Sequence, residues 1–316
     1  MRAVRYLAKR ILILAGTLLL VTALAFLAFQ IIPGDPVASI LGTEYSPERA
    51  AQVRAELGLD RPVAVRYFSW LAGFVTGNFG QSYNYSMPVS ELLAGKLAVT
   101  FTLTAMAFAL ILLISFPLGV FTARHAGGAV DRVLTVINQV AMSVPPLILG
   151  MIFTYVFGLI LKLFTPGDYV SYSKSVGGFL GYMIFPAAAV AIPKIAMCVK
   201  LLRGSILAEL DSDYVRTAYS KGNTKGSVLS RHVLRNAVIP VITFMAMTIA
   251  DILAGSIIIE RVFSVPGMGR MLLQSISNRD YPVVQTIVVI IAFAVVLANF
   301  AADLIYQYVD PRIELR

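Results

Sequence analysis

The stretch RGSILAELDSDYVRTAYSKGNTKGSVLSRHVLRNAVIP, from Arg203 to Pro240, is polar, basic and helix-patterned, and it lies between two apolar runs. Ile206, Leu210, Tyr214 and Ala218 recur every four residues and would line one face of a helix. Asp211 and Asp213 are N-cap candidates for a helix starting at Tyr214. Gly222 reads as the stop, because glycine takes the left-handed conformation that closes a helix. Thr224 can then cap a second helix carrying Val228, Leu229, Val233 and Ala237. Two short helices meeting at Gly222 would form a docking surface. The plainer reading is a loop whose seven Lys/Arg, from Lys200 to Arg235, hold the membrane topology.

The apolar runs around this stretch set the class. Of 316 residues, 58% are hydrophobic and 14% charged, and the mean hydropathy is +0.79. That exceeds what a soluble core needs, so an all-α polytopic membrane protein is expected. The formal charge of +9 could suggest nucleic acid, but the basic residues sit at the ends of apolar runs, which topology explains and nucleic-acid binding does not. A single cysteine, Cys198, excludes an intrachain disulfide, and two histidines, His125 and His232, leave little for a metal site. No phosphate-binding loop is present. Gly95-Lys96 is followed by Leu97, and Ser90 stands at the earlier glycine position. No serine or cysteine has a histidine placed to activate it, so no catalytic residue and no cofactor are expected in this chain.

Six spans are expected, each long enough for a hydrocarbon layer of roughly 30 Å. The first, Ile11 to Ile32, follows Arg2, Arg5, Lys9 and Arg10 and reads as an uncleaved anchor, since Ala23-Leu24-Ala25 lies in mid-run. Residues 33 to 97 are polar, with a helix expected from Ser46 to Leu57 and an aromatic group at Tyr67, Phe68, Trp70 and Phe74 that suits a membrane interface. The second span covers about 98 to 121. The third, near Val133 to Phe164, is interrupted by Pro145-Pro146, as a packing kink or a gating hinge, so Asn138, Gln139 and Ser143 should face protein or a pathway. The fourth, about 182 to 202, contains Lys194, expected to snorkel to the nearer end. In the fifth, about 241 to 259, Thr248, Asp251 and Gly255 share one helix face. Asp251 must pair, protonate or meet water, so it reads as a pathway-lining residue or as half of a buried pair. The sixth covers about 284 to 304.

Several motifs carry a resemblance. Asp213-Tyr214-Val215-Arg216-Thr217-Ala218, then Lys221-Gly222, then Arg231 to Pro240 resemble the cytoplasmic coupling loop of ABC-importer permeases of the oligopeptide/dipeptide/nickel family. Arg216, Thr217 and Ala218 stand where importers in general have Glu-Ala-Ala, and Gly222 stands at the seventh position. Leu234 is followed by Arg235 and not by proline, as is usual in the peptide branch. Pro33-Gly34-Asp35-Pro36, Leu57 to Pro62, Gly77 to Ser82, Glu260 to Arg270, Asn278 to Gln285 and Tyr308 to Arg312 are similar to further landmarks of that family. Asn78 stands where the family often has Asp.

The resemblance, which is to the first, B-type, peptide permease subunit, implies a type I ABC importer permease-like fold with an extracytoplasmic segment between helices 1 and 2. The expected division is 1–32 as cytoplasmic start and first helix, 33–97 outside, and 98–316 as permease domain with its coupling loop at 203–240. It also implies a second homologous permease, two cytoplasmic ATPases holding ATP and Mg, an extracytoplasmic substrate-binding protein, and short peptides as leading substrate. Asp213, Tyr214, Arg216, Thr217, Ala218, Lys221 and Gly222 would form the ATPase-coupling loop. The charge distribution agrees with both termini inside a bacterial or archaeal cytoplasmic membrane, since the two later outer loops hold only Lys162, Lys174, Arg261, Arg270 and Arg279. The rival is an ion-coupled secondary carrier resting on Asp251 and the broken third span.

Overall fold

In the computed structural model, residues 2–31 and 36–309 are described; Pro33-Gly34-Asp35 and Asp310-Pro311-Arg312 lie outside them. The expected all-helical membrane architecture is what the described residues show. Five helices are long and apolar enough to cross a membrane, and a bent helix pair supplies a sixth if it counts as one span. The chain divides into two compact units: Met1–Thr100 with Pro266–Leu297, and Phe101–Val265 with Ala298–Arg316.

The first unit begins with α1 (Arg2–Ile31) and α2 (Pro36–Leu41). Helix α3 (Pro47–Glu56) falls where the sequence predicts a helix from Ser46 to Leu57: Ser46 Oγ accepts from the Arg49 amide at 3.2 Å, and Pro47 fills the first helical position, where no amide donor is needed. Helix α4 (Val63–Val75) carries the aromatic group. Phe26 of α1 meets Tyr67 and Trp70 with ring centroids at 5.5 and 5.8 Å, and Thr22 Oγ1 lies 3.0 Å from the Tyr67 hydroxyl. Helix α5 (Val89–Leu93) leads into α6 (Lys96–Arg124).

The second unit is built around its longest helix. Proline decides how it gets there. Helix α7 (Ala129–Ser143) and helix α8 (Pro146–Phe153), which runs on as a wider π-type turn over Thr154–Ile160, are bent from one another by 98°. Val144 and Pro145 are extended between them, with ψ of 117° and 145°. The third apolar run is thus broken and not a kinked rod: two adjacent prolines remove two amide donors, and the first restricts Val144 to extended backbone. Helix α9 (Val176–Leu210) starts six residues before the expected span, because Ser175 caps it by accepting from the Gly178 amide at 3.1 Å. It contains Pro186 and Pro193 without a break, and α7, α8 and α13 (Ile239–Val262) all pack on it. Close approach of α6 is possible because Gly119 has no side chain; a Cβ there would lie 2.8 Å from Leu202 Cδ2. Between α9 and α13 come α10 (Asp213–Ser220), α11 (Lys225–Val228) and α12 (Leu234–Ala237), with a π-type turn at Leu229–Val233.

Back in the first unit comes α14 (Met268–Ser277), and α15 (Tyr281–Val309), the last helix among the described residues, starts there and passes into the second unit after Leu297. The Met268 amide donates to Thr100 Oγ1 at 2.8 Å. Asp280, fully buried just before α15, accepts from the Ser82 hydroxyl and from the amides of Tyr83 at 3.1 Å and Asn84 at 3.3 Å. Those donors replace the water that a buried carboxylate loses.

Candidate functional site

Helix α9 does not run on into α10. Asp211 closes α9, and Ser212, extended at φ −74° and ψ 149°, is the residue before α10. The expected caps at Asp211 and Asp213 are therefore displaced: Ser212 occupies the cap position with no side-chain bond, and Asp213 sits in the first turn, where its charge favours the helix N-terminus. The break also changes the expected stripe. Ile206 and Val215 are fully buried and Ala218 nearly so, whereas Tyr214 turns outward and its hydroxyl donates to Glu209. Partial burial, and then the Glu209 carboxylate, raise the Tyr214 hydroxyl above the ordinary phenol range.

Gly222 closes α10 as its sequence position suggests, at φ +80°. The Gly222 amide donates to the Tyr219 carbonyl at 2.9 Å and the Asn223 amide to the Ala218 carbonyl at 3.4 Å, the two bonds of a Schellman turn. Asn223 Nδ2 adds a third bond to the same Ala218 carbonyl at 3.0 Å. Thr224 Oγ1 then accepts from the Ser227 amide at 3.3 Å and starts α11. Val228, Leu229, Val233 and Ala237 are all buried. The result is a rigid helix–turn–helix with Asp213, Tyr214, Arg216, Thr217, Lys221 and Gly222 on its exposed side and Ala218 packed beneath. Such a face offers mixed charge, an aromatic ring and a fixed shape, which suits protein docking.

An ion pair that the sequence does not announce braces the end of α9. Arg203 donates to Asp131 through Nε and a terminal nitrogen at 2.8 and 2.7 Å, and the Gly127 amide adds a third bond at 2.9 Å. Asp131 is 4% exposed. The fork geometry fixes α9 to the start of α7 in one orientation. Asp131 is a lone acid among the bases of a short loop, which was the available signal; its partner, 72 residues away, had none.

Midway along the spans a second pair joins α9 to α13. Lys194 does not snorkel; it bonds to Asp251. Asp251 keeps 56% of its side chain exposed and Lys194 23%. Of the other residues read as pathway-lining, Thr248 is fully buried and donates to the Phe244 carbonyl at 2.7 Å, so it faces the packing between helices and not the open side. Asn138 is half-buried on α7, and Ser143 is exposed beside the bend, its hydroxyl donating to the Val140 carbonyl at 2.8 Å.

In the first unit a recess of about 780 Å³ opens among α1, α3, α4 and the start of α15, lined by Arg54, Arg61, Arg66, Trp70, Tyr83 and Tyr281 among others. Among the described residues no group of His, Cys, Asp and Glu could hold a metal ion.

Spans of this length, a proline-broken helix pair and a polar helix–turn–helix define a multi-pass helical membrane protein. The chain belongs to the family of binding-protein-dependent transport system inner membrane components, whose description matches residues 115–315, with the corresponding N-terminal region matching 3–104. It is 35% identical over 308 residues to the Probable peptide ABC transporter permease protein y4tP of Sinorhizobium fredii, covering 98% of each chain. It is 34% identical over 312 residues to the Oligopeptide transport system permease protein AppB of Bacillus subtilis, covering 98% of this chain and 99% of that one. Among solved structures, the MetNI methionine ABC transporter in an inward-facing form matches with a TM-score of 0.54 and 19% identity, over 69% of this chain and 96% of that chain. That likeness supports the fold, and the comparisons together support a permease of an ABC importer over an ion-coupled carrier.

Proposed function

We propose that this chain is the first permease subunit of an ATP-driven importer of di- and oligopeptides. It pairs with a second, homologous permease in a bacterial or archaeal cytoplasmic membrane, with both termini inside and residues 33–97 outside. Two cytoplasmic ATPases supply the energy and hold ATP and Mg, and an extracytoplasmic binding protein delivers the peptide. The names of the Sinorhizobium and Bacillus relatives support the substrate class. The observation that carries the coupling is the Gly222 turn, which holds Asp213, Tyr214, Arg216, Thr217, Lys221 and Gly222 on one exposed edge while Ala218 anchors it from below. ATP-driven closure of the ATPases moves this edge, and the Arg203–Asp131 brace passes the movement to α7 and α9. The spans then shift between inward- and outward-open states that differ in their contacts with nucleotide and substrate.

The test is uptake of a labelled tripeptide by proteoliposomes holding the complete complex. The reading expects uptake only with both ATP and the binding protein. Uptake driven by an ion gradient without ATP would refute it.

A further inference from the structure

Asp251 lies twelve residues from one end of α13 and eleven from the other, about 17 Å of helix either way, so it sits at the middle of its span. There, an exposed carboxylate cannot face hydrocarbon; it must face water or protein, and such groups mark substrate and ion paths. The opposite charge, Lys194 on α9, is bound to it, with 23% of its side chain exposed against 56% for Asp251. Met247 is one turn from Asp251 and Met197 one turn from Lys194, 63% and 44% exposed, so flexible, polarisable side chains flank the pair on both helices.

We propose that Lys194 and Asp251 form a transit site for zwitterionic peptides. This rests on the reading of the chain as a peptide permease and adds the residues that receive the peptide's ends. Empty, the site is neutral because its charges satisfy each other. A peptide brings one ammonium and one carboxylate, and exchanging the internal pair for an Asp251–ammonium pair and a Lys194–carboxylate pair leaves no charge unmatched in a low-dielectric passage. A blocked terminus would strand one of the two protein charges. The methionines accept whatever side chain lies between the ends.

The double variant Lys194→Gln with Asp251→Asn separates this role from a structural one, because it removes both charges and strands neither. Complete complexes in proteoliposomes, with trialanine and saturating binding protein, would be compared for uptake and for binding-protein-stimulated ATP hydrolysis. The site predicts uptake reduced at least tenfold with ATP hydrolysis retained; uptake equal to the unsubstituted complex would overturn it. Should the double variant not assemble, the unsubstituted complex decides. A tripeptide with a central benzoylphenylalanine, irradiated during turnover, should label α9 or α13 within two turns of Lys194 or Asp251, and labelling confined to other segments would overturn the site. An unsubstituted complex that takes up no peptide would instead remove the peptide reading, and this site with it.

Discussion

Substitution at Gly222 separates two effects that a single variant would merge. The residue has φ +80°, and a Cβ built there has no atom within 4 Å. An ordinary L side chain therefore incurs backbone strain of about 1–2 kcal/mol, roughly a five- to thirtyfold shift in the population of the turn, while its Cβ meets no steric clash within the chain. Alanine and tryptophan should incur that same strain, while asparagine, which tolerates the left-handed region, should incur less. If Gly222 lies at a docking surface, tryptophan carries an additional effect, because its bulk projects into the space a partner needs. The assay is the ratio of peptide taken up to ATP hydrolysed in proteoliposomes, with membrane abundance measured alongside. Gly222→Asn should stay near the original ratio, Gly222→Ala should fall several-fold, and Gly222→Trp should fall much further while the protein remains in the membrane. Equal ratios for alanine and tryptophan would refute the docking argument and leave only strain; an unchanged ratio in Gly222→Trp would refute both.

Substitutions at three further sites, one of them paired with a compensating change, test the packing of the helices. Asp131→Ala should lower the thermal stability of the solubilised protein by the equivalent of about 2–3 kcal/mol, less than a fully buried broken pair because the Arg203 side chain is 29% exposed and water recovers part of the loss; a melting temperature within a degree of the original would contradict the brace. Gly119→Val should sharply reduce folded protein, since even a Cβ would approach Leu202 to 2.8 Å, and Leu202→Ala should recover part of it, as fluorescence-detected size exclusion would show. Asp280→Ala strands the donors of Ser82, Tyr83 and Asn84 and should cost about 1–3 kcal/mol, read as faster proteolysis within residues 77–88; unchanged cleavage would count against that anchor.

What could be read from the sequence was local. Gly222 and Thr224 act within three residues of themselves, so their types and spacing were enough to place a stop and a cap; the helix expected from Ser46 was equally local, although its capping by Ser46 itself came only with the structure. Pro145-Pro146 announced a break by the same logic, though not its 98° angle, which depends on what each half packs against. Ser212 displaced the aspartates because α9 persists to Leu210 and α10 already starts at Asp213, so Asp211 closes one helix and Ser212 is left to precede the next. The contacts with the greatest structural consequence were illegible for a different reason. Lys194 and Asp251 are 57 positions apart, Arg203 and Asp131 72, and Ser82 and Asp280 198. No periodicity in a single chain says which distant charge will answer another. Thr248 shows the limit of helical spacing too: it shares a calculated face with Asp251, yet a turn of fewer than four residues was enough to place it inside the packing while Asp251 stayed open.

The central claim, that the exposed edge around Gly222 seats an ATPase, is tested most directly by purifying the tagged chain from its native membrane under mild extraction and identifying what accompanies it. The account predicts a second permease and ATPase subunits with the intact chain, and loss of the ATPases, with the second permease retained, when residues 213–226 are deleted. Recovery of the ATPases with the deleted chain would contradict it.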